Sequence, residues 1–165
     1  MNNRSTSTSS NFFLPGLIQK SIFTLIFSFM FAWSYAQPDV KLTHGITEIT
    51  SGGSFAFDNV MVDQQVTNYF IIENAGNADL TLNSTNAITI TGTDAAKFSM
   101  AADSSGYVIP AGEKMAFDLS FTSSSTGAKS ATINIDTDDP VDDPFTFTVT
   151  ANVVAGPAAC EIPTT

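Results

Sequence analysis

The sequence predicts an all-β fold, a β-sandwich of seven to nine short strands. Apolar residues alternate with polar ones at the two-residue period of half-buried strands, and clusters of Gly, Asn, Asp and Pro separate the alternating stretches. No stretch has a convincing helical period, and Asp94–Phe98 could form a single turn. Several short strands divided by frequent turn signals are typical of a sandwich with an apolar interior.

Residues 1–36 have the pattern of a Sec-type signal peptide. Arg4 and Lys20 are the only charges, the apolar run Ile22–Trp33 follows, and small residues at the −3 and −1 positions end at Ala36. The apolar run is shorter than the ~20 residues that a membrane-spanning helix needs. We therefore expect cleavage after Ala36 rather than an uncleaved anchor, and a mature protein that is secreted or lies in the cell envelope or outside the cell.

Cleavage would make the chain more acidic. The whole sequence has 6 Lys and Arg against 16 Asp and Glu, a net charge of −10. Both cations of the leader leave with it, so four lysines face the 16 acidic residues and the mature net charge becomes −12. This charge repels phosphate backbones and anionic lipid, so we expect no nucleic-acid partner and no membrane insertion after signal removal. The single cysteine, Cys160, cannot form a disulfide within the chain.

The predicted lead-in, residues 37–54, carries the first strand at Gly45–Thr50. Phe55 and Phe57 then point to one side of the next strand, which is interrupted at Asp58–Asn59. The domain proper is predicted to begin at Phe55.

The strand Val66–Asn74 is apolar on both faces at its centre. Phe70 and Ile72 point one way, while Tyr69 and Ile71 point the other. This arrangement predicts a central strand, buried on both faces or with an outer face that another surface covers. In the second case Tyr69 and Ile71 are candidates for an interaction patch.

The clearest alternation lies in the C-terminal half of the domain. The apolar members of its strands are Phe117, Leu119 and Phe121, then Ile133 and Ile135, then Phe145, Phe147, Val149 and Ala151. A slip of one residue would turn every Phe to water and every Thr to the core, so the register is strongly fixed. The alternation ends after Asn152, and residues 153–165 are predicted to be a C-terminal linker or tail.

Five segments in this order resemble those of a known family. They are Phe55–Asp63, Phe70–Leu80, Ile109–Glu113, Phe121–Ile133 and Asp138–Ala151. They are similar to the segments FxFGNVxVG, FxIxNxGNAxL, I-P-x-G, FxPxxxGxxSAxLxI and NDPDxxP of ASH-type (hydin-like) immunoglobulin-like domains in bacterial choice-of-anchor D proteins. The resemblance covers residues 55–152, and it implies an immunoglobulin-like sandwich without catalytic activity.

The chain departs from that family pattern at three positions. Asp58 and Asp63 stand where the pattern has Gly, and Ser123 stands where it has Pro. These departures concern local turn geometry rather than the fold. The resemblance further implies a truncated or single-module member, because no further domain and no sorting segment is visible in the sequence.

The residue census does not favour an enzyme. His44 is the only histidine and lies outside the predicted domain, whereas a Ser-His-Asp triad needs a base held on a rigid scaffold. A zinc site needs several His or Cys ligands, and the chain has one of each, far apart.

One acidic segment is the best candidate for a metal site. Its five carboxylates provide the hard oxygen ligands that Ca²⁺ prefers. They belong to Asp136, Asp138, Asp139, Asp142 and Asp143. The segment lacks the Gly and the terminal Glu of an EF-hand loop, so a solvated connection between two strands is the competing interpretation.

These observations favour a non-catalytic exported module for protein–protein interaction, adhesion or structural spacing at the cell surface. We expect its partner to be an unidentified protein or surface polymer, bound through exposed edges and loops, for instance by strand addition. Two alternatives stay open: a carbohydrate-binding accessory domain, which would need several exposed aromatic residues on one face, and a weak calcium-binding domain. Apart from Ca²⁺, no cofactor is predicted.

Overall fold

A computed structural model describes residues 35–83, 86–101 and 106–156. The predicted leader up to residue 34 and Cys160 lie outside the described residues. In chain order the strands are β1 (Val40–His44), β2 (Thr47–Ile49), β3 (Gly53–Met61), β4 (Val66–Asn74), β5 (Leu80–Thr81), β6 (Ile88–Thr91), β7 (Phe98–Met100), β8 (Val108–Ile109), β9 (Lys114–Phe121), β10 (Gly127–Ile135) and β11 (Phe145–Val154). The predicted single turn is a 3₁₀ turn at Ala95–Lys97.

The strands form two large sheets and one small one. The first sheet has the order β2-β1-β4-β9-β7, the second β3-β11-β10-β6, and β5 pairs with β8 in the third. All pairs are antiparallel except β3 with β11, which run parallel. The predicted immunoglobulin-like β-sandwich is confirmed.

The described residues contain eleven strands, more than the seven to nine predicted. The additional strands are very short, since β5 and β8 have two residues each and β2 and β7 have three. A pair this short shows no alternation that a sequence pattern can detect, because a two-residue period needs four or more residues to be visible.

The strand predicted at Gly45–Thr50 is present but shorter, as β2 at Thr47–Ile49, and it is the second strand rather than the first. The chain forms β1 before it, turns at Gly45 and returns as β2. Gly45 has a φ of +59°, a left-handed conformation that belongs to a turn and not to a strand. Val40 and Leu42 in β1 are buried, so the lead-in contributes a hairpin to the five-stranded sheet and to the core.

The two large sheets meet through a cluster of aromatic rings centred on Phe70. Its side chain is 0% exposed, and its ring stacks at 5.4 Å on Phe117 of the neighbouring strand β9. Across the sandwich it lies 5.0 Å from Phe55 and 5.5 Å from Phe147, both in the four-stranded sheet. Ring pairs at these centroid distances attract one another beyond the area they bury. Phe70 therefore joins both sheets.

The alternation predicted for the C-terminal half is confirmed. Every apolar residue assigned to the core there is buried: Phe117, Leu119, Phe121, Ile133, Ile135, Phe145, Phe147, Val149 and Ala151. Between them, the intervening residues of β9, β10 and β11 are half-buried or exposed.

The interruption predicted within β3 is a β-bulge. At this point β3 has one residue more than β11, and Asp58 adopts a φ of +56°. The extra residue brings Phe57 and Val60, three positions apart, onto the core side, where both are buried. Asp63, in the turn after β3, has a φ of +61°. Asp enters this region more easily than most side chains, so it can stand where the family pattern has Gly.

A buried amide fixes the entry of the chain into the sandwich. Asn74, at the end of β4, is fully buried and uses all four hydrogen-bonding positions of its side chain. Its Nδ2 donates to the main-chain oxygens of Ala78 (2.7 Å) and Ile109 (2.9 Å). Its Oδ1 accepts from the main-chain N–H groups of Asp39 (3.3 Å) and Gly76 (3.0 Å). One side chain thus links the segment before β1, the turn after β4 and strand β8.

The turn after β4 also requires that two segments of the main chain approach each other closely. A Cβ atom at Gly76 would collide with the main-chain oxygen of Gln37 and lie 2.7 Å from the nitrogen of Asp39. Asn77 N donates to Gln37 O at 3.0 Å, and Gln37 N donates to Asn77 Oδ1 at 2.8 Å. Gly is therefore needed at position 76 for the entering segment to lie against this turn.

The packing of β4 predicts a large loss of stability from one residue and a small loss from its neighbour. Phe70→Ala removes a buried ring and should lower the free energy of unfolding by about 3–5 kcal/mol, whereas Tyr69→Ala, on the outer side, should lower it by less than about 1 kcal/mol. Urea unfolding followed by circular dichroism measures both. Equal losses would mean that the assigned register of β4 is wrong.

The Asn74 network predicts a large loss from a small side-chain change. Asn74→Ala leaves several buried main-chain groups without a partner and should lower the free energy of unfolding by about 3 kcal/mol or more. Asn77→Ala is the matched control, because Asn77 is exposed and makes one side-chain bond, and it should lower the same quantity by about 1 kcal/mol at most. The same urea titration compares them, and similar losses would contradict the assignment.

Candidate interaction surface

The patch residues Tyr69 and Ile71 lie on β4, the middle strand of the five-stranded sheet. β4 is therefore the central strand that the sequence predicts. Its inner side chains, Phe70 and Ile72, are 0% exposed, whereas Tyr69 is 55% exposed and Ile71 is half-buried. The described chain thus leaves the outer side of β4 open to solvent.

We call the outer side of the five-stranded sheet the outer face. Cross-strand register places Ile71 between Thr43 of β1 and Ala116 of β9, and places Tyr69 opposite Asp118 of β9. Directly opposed residues on one side of a sheet have side chains in contact range. Ile71 therefore lies among small neighbours, and the larger Tyr69 ring stands beside it.

Charged and hydroxyl groups surround this apolar centre. Glu73 forms an ion pair with Lys114 (2.8 Å), and Lys41 lies opposite Glu73 in the register with β1. At the other end Thr67 Oγ1 and Ser120 Oγ lie 2.7 Å apart and share a hydrogen bond. An exposed ion pair contributes little to stability. An apolar centre with a polar rim is, however, the usual anatomy of a protein–protein interface.

His44 lies at the edge of this region and packs against the core. Its Nδ1 donates to the main-chain oxygen of Tyr69 at 3.0 Å. Its ring lies 4.6 Å from Phe55 and 5.3 Å from Phe70. These contacts give the only histidine a packing role at the end of β1.

The acidic segment joins β10 to β11, and three of its carboxylates accept main-chain N–H groups. Asp139, 2% exposed, accepts from Val40 (2.7 Å) through Oδ2 and from Val141 (2.8 Å) and Asp142 (3.3 Å) through Oδ1. Asp138 accepts from Thr81 at 2.8 Å, and Asp143 accepts from Thr137 at 3.1 Å. The Asp139 carboxylate therefore ties the start of β1 to the end of β10.

The structure does not gather the five carboxylates around one point. Among residues 35–83, 86–101 and 106–156, no three His, Cys, Asp or Glu side chains form a group that could hold a metal ion. Ca²⁺ takes 6–8 oxygen ligands, and here both carboxylate oxygens of Asp139 already accept hydrogen bonds from main-chain N–H groups. The weak calcium site at Asp136, Asp138, Asp139, Asp142 and Asp143 stays a prediction to be tested by titration.

A cleft of about 360 Å³ lies on the four-stranded sheet, and the sequence pattern did not anticipate it. It is lined by residues of β3, β10 and β11, among them Ala56, Asn59, Ala128 and Thr150. Asn152 Nδ2 donates to Asn59 Oδ1 at 2.7 Å, which joins β11 to β3 just past the bulge. The residues that line the cleft include no aromatic ring.

The two tyrosines that follow the predicted leader lie in different parts of the fold. Tyr69 belongs to the five-stranded sheet, whereas Tyr107 lies just before β8, and its main-chain oxygen accepts a hydrogen bond from Leu82 N at 2.9 Å. A carbohydrate-binding domain would need several exposed aromatic residues on one face, and Tyr69 is the only tyrosine in the described strands.

Comparison with known proteins identifies a family for most of the chain. The profile of the HYDIN/CFA65/VesB-like, Ig-like domain matches residues 51–152. No curated protein matches the sequence significantly.

Similar solved structures share the fold at low sequence identity. A protein of unknown function from Porphyromonas gingivalis W83 has a TM-score of 0.53 and 16% identity over 73% of this chain and 50% of its own, so this chain spans about half its length. The ASH/PapD-like domain of human CEP192 has a TM-score of 0.51 and 10% identity over 94% of this chain and 100% of its own. A family 123 glycoside hydrolase from Clostridium perfringens has a TM-score of 0.53 and 6% identity over 73% of this chain and 27% of its own.

Among the described residues, no helical segment has the length and apolar character to cross a bilayer.

The hydrogen bonds of the acidic segment predict different losses of stability for Asp139 and Asp142. Asp139→Asn puts an N–H donor where one carboxylate oxygen accepted, so we expect the free energy of unfolding to fall by about 2–3 kcal/mol. Asp142→Asn should change it by less than about 0.5 kcal/mol, because no hydrogen bond joins its carboxylate to another described residue. Urea unfolding distinguishes the two, and a larger loss from Asp142→Asn would refute the structural role of Asp139.

Calorimetric titration with CaCl₂ tests the calcium hypothesis on the same protein. Because three of the five carboxylates accept main-chain N–H groups and no three of the described ligands gather around one point, we expect no binding heat at millimolar Ca²⁺. Heat that disappears in the double variant Asp138→Asn with Asp142→Asn would instead establish the predicted site.

Proposed function

The chain belongs to the HYDIN/CFA65/VesB-like family of Ig-like domains, and from this membership we propose that it is a non-catalytic, exported interaction module. It binds another protein through the outer face of the five-stranded sheet. Its place is at the cell surface, in the envelope or outside the cell, where it serves interaction, adhesion or spacing.

The observation that carries the proposed binding surface is the exposure of Tyr69 at the centre of a sheet. The Tyr69 ring is 55% exposed on a middle strand, and Ile71 follows two positions later on the same side of that strand. Ile71 in turn lies opposite the small residues Thr43 of β1 and Ala116 of β9. Tyr is enriched among the residues that carry most of the energy of protein interfaces, because its ring offers a large contact area with few rotatable bonds. The surrounding Glu73, Lys114 and Asp118 supply the polar rim that gives such a contact its orientation.

The limits of the folded unit support the proposed export. The compact unit that contains the sandwich begins at Ala36, the last residue of the predicted leader. Gln37, which follows the expected cleavage point, already makes two main-chain hydrogen bonds with Asn77. Cleavage there would release a chain whose first residue is already tied into the fold.

The contacts of His44 and Asp139 favour binding without turnover. His44 Nδ1 is bonded to Tyr69 O and its ring packs on two Phe rings, and both Asp139 carboxylate oxygens accept main-chain N–H groups, so both residues have structural contacts. The likeness to part of a glycoside hydrolase concerns the fold alone and assigns no catalytic residue to this chain.

In-cell crosslinking of the tagged full chain, followed by mass spectrometry of captured proteins, tests the proposed surface. We expect a specific protein partner whose recovery falls about tenfold or more with Tyr69→Ala, because removal of an interface anchor costs at least ~1.4–2 kcal/mol of binding. Circular dichroism melting confirms that the variant is folded.

Thr148→Ala is the matched control. Thr148 is half-buried on the outward side of the four-stranded sheet, so its replacement should leave recovery unchanged. Capture that survives Tyr69→Ala but falls with Thr148→Ala would place the binding surface on the opposite sheet and overturn the proposal.

A further inference from the structure

Gln37 occupies a position where a chemical modification of the new N-terminus is expected. It follows the predicted cleavage point after Ala36 and is exposed at the boundary of the folded unit. Its main chain is held on both sides by Asn77, through Gln37 N to Asn77 Oδ1 at 2.8 Å and Asn77 N to Gln37 O at 3.0 Å. No hydrogen bond joins its side-chain amide to another described residue, so that amide is available for reaction.

We propose that cleavage after Ala36 is followed by closure of Gln37 to an N-terminal pyroglutamate lactam. This inference rests on the export proposed above, since only a free Gln37 amine can react. The modified protein would begin with a five-membered ring instead of an ammonium group.

The reaction balances without any further reagent. The neutral α-amine attacks the side-chain amide carbon, a new N–C bond forms, the bond from that carbon to the amide nitrogen breaks, and ammonia leaves with the proton that the amine gives up. An α-amine has a pKa of about 7.7–8.0, so an appreciable share is neutral near physiological pH. Both groups belong to one residue, which makes the attack intramolecular and favours it strongly.

The fold accommodates the product. The lactam nitrogen keeps one N–H, and the main-chain oxygen of Gln37 is unchanged, so the groups that bond to Asn77 are still present. The exposed position leaves room for a ring in place of the extended side chain, and it is open to an enzyme that catalyses the closure.

Closure would protect the segment that enters the sandwich. Aminopeptidases need a free α-amine, which the lactam lacks. Trimming from Gln37 onward would remove Asp39, whose N–H bonds to Asn74, and then Val40, whose N–H bonds to Asp139. The modification would therefore preserve the contacts that hold β1.

The test uses the full chain with a C-terminal tag, expressed in a Sec-competent bacterium and purified from the exported fraction. Primary amines are labelled by reductive methylation before digestion with a Glu-specific protease, because methylated lysines resist trypsin, and the peptide Gln37–Glu48 is identified by tandem mass spectrometry. A heavy synthetic peptide of the same sequence, added with an open N-terminus before labelling and digestion, measures any closure caused by handling. Gln37→Asn is the matched variant, because its shorter amide would have to close a strained four-membered ring.

We expect the peptide Gln37–Glu48 to be unlabelled at its N-terminus and lighter than the open sequence by one ammonia, while the N-terminus of the Gln37→Asn peptide is labelled. A labelled, open Gln37 would overturn the modification and leave the export proposal intact. A first residue other than Gln37, or a retained leader, would overturn both the cleavage site and the modification.

Discussion

The ring of Phe70 is packed between the two large sheets, and its contacts position the strands that carry the outer face. It stacks on Phe117 in the same sheet and meets Phe55 and Phe147 in the other. Side chains alternate along a strand, so burial of Phe70 turns Tyr69 and Ile71 outward. The exposure of the outer face is thus a consequence of core packing on the same strand.

Two polar side chains fix the position of the first strand, which the apolar core alone does not specify. A hydrophobic core is non-directional, and it does not specify how the first strand enters. Asn74 and Asp139 do so by bonding main-chain groups of Asp39 and Val40 from either side. Buried polar groups stabilise only one arrangement, because any other would leave them unpaired. The position of β1 depends on these bonds, and β1 brings Thr43 next to Ile71.

The family and the fold together favour a protein that works through its surface. Among the described residues, the single histidine, His44, and the most buried carboxylate, Asp139, both make structural contacts. Tyr69, on the outer face, is an exposed aromatic residue on a central strand. Similar structures belong to proteins as different as a human CEP192 domain and part of a bacterial glycoside hydrolase. One sandwich therefore supports several roles, and the role of this chain must be encoded in its surface residues.

Where strands are long and one side is buried, residue order alone was sufficient to predict them. The Phe and Ile positions of β9, β10 and β11 were predicted correctly, because a two-residue period with large apolar side chains admits only one register. The interruption at Asp58 was visible too, although only the structure shows that it is a bulge bringing Phe57 and Val60 to the same side. The hairpin at Gly45 was missed, because a turn with a single Gly does not differ in pattern from the start of a strand.

The sequence by itself determined the sheet class, the core residues of the long C-terminal strands and the two sides of β4, since these follow from local alternation. Only the tertiary structure decided that the outward side of β4 is exposed to solvent, that the Asp139 carboxylate accepts a hydrogen bond from Val40 N, and that the cleft forms over β3, β10 and β11. Each of these depends on residues far apart in the chain. Their proximity follows from the strand order of the sheets, which no short-range pattern encodes.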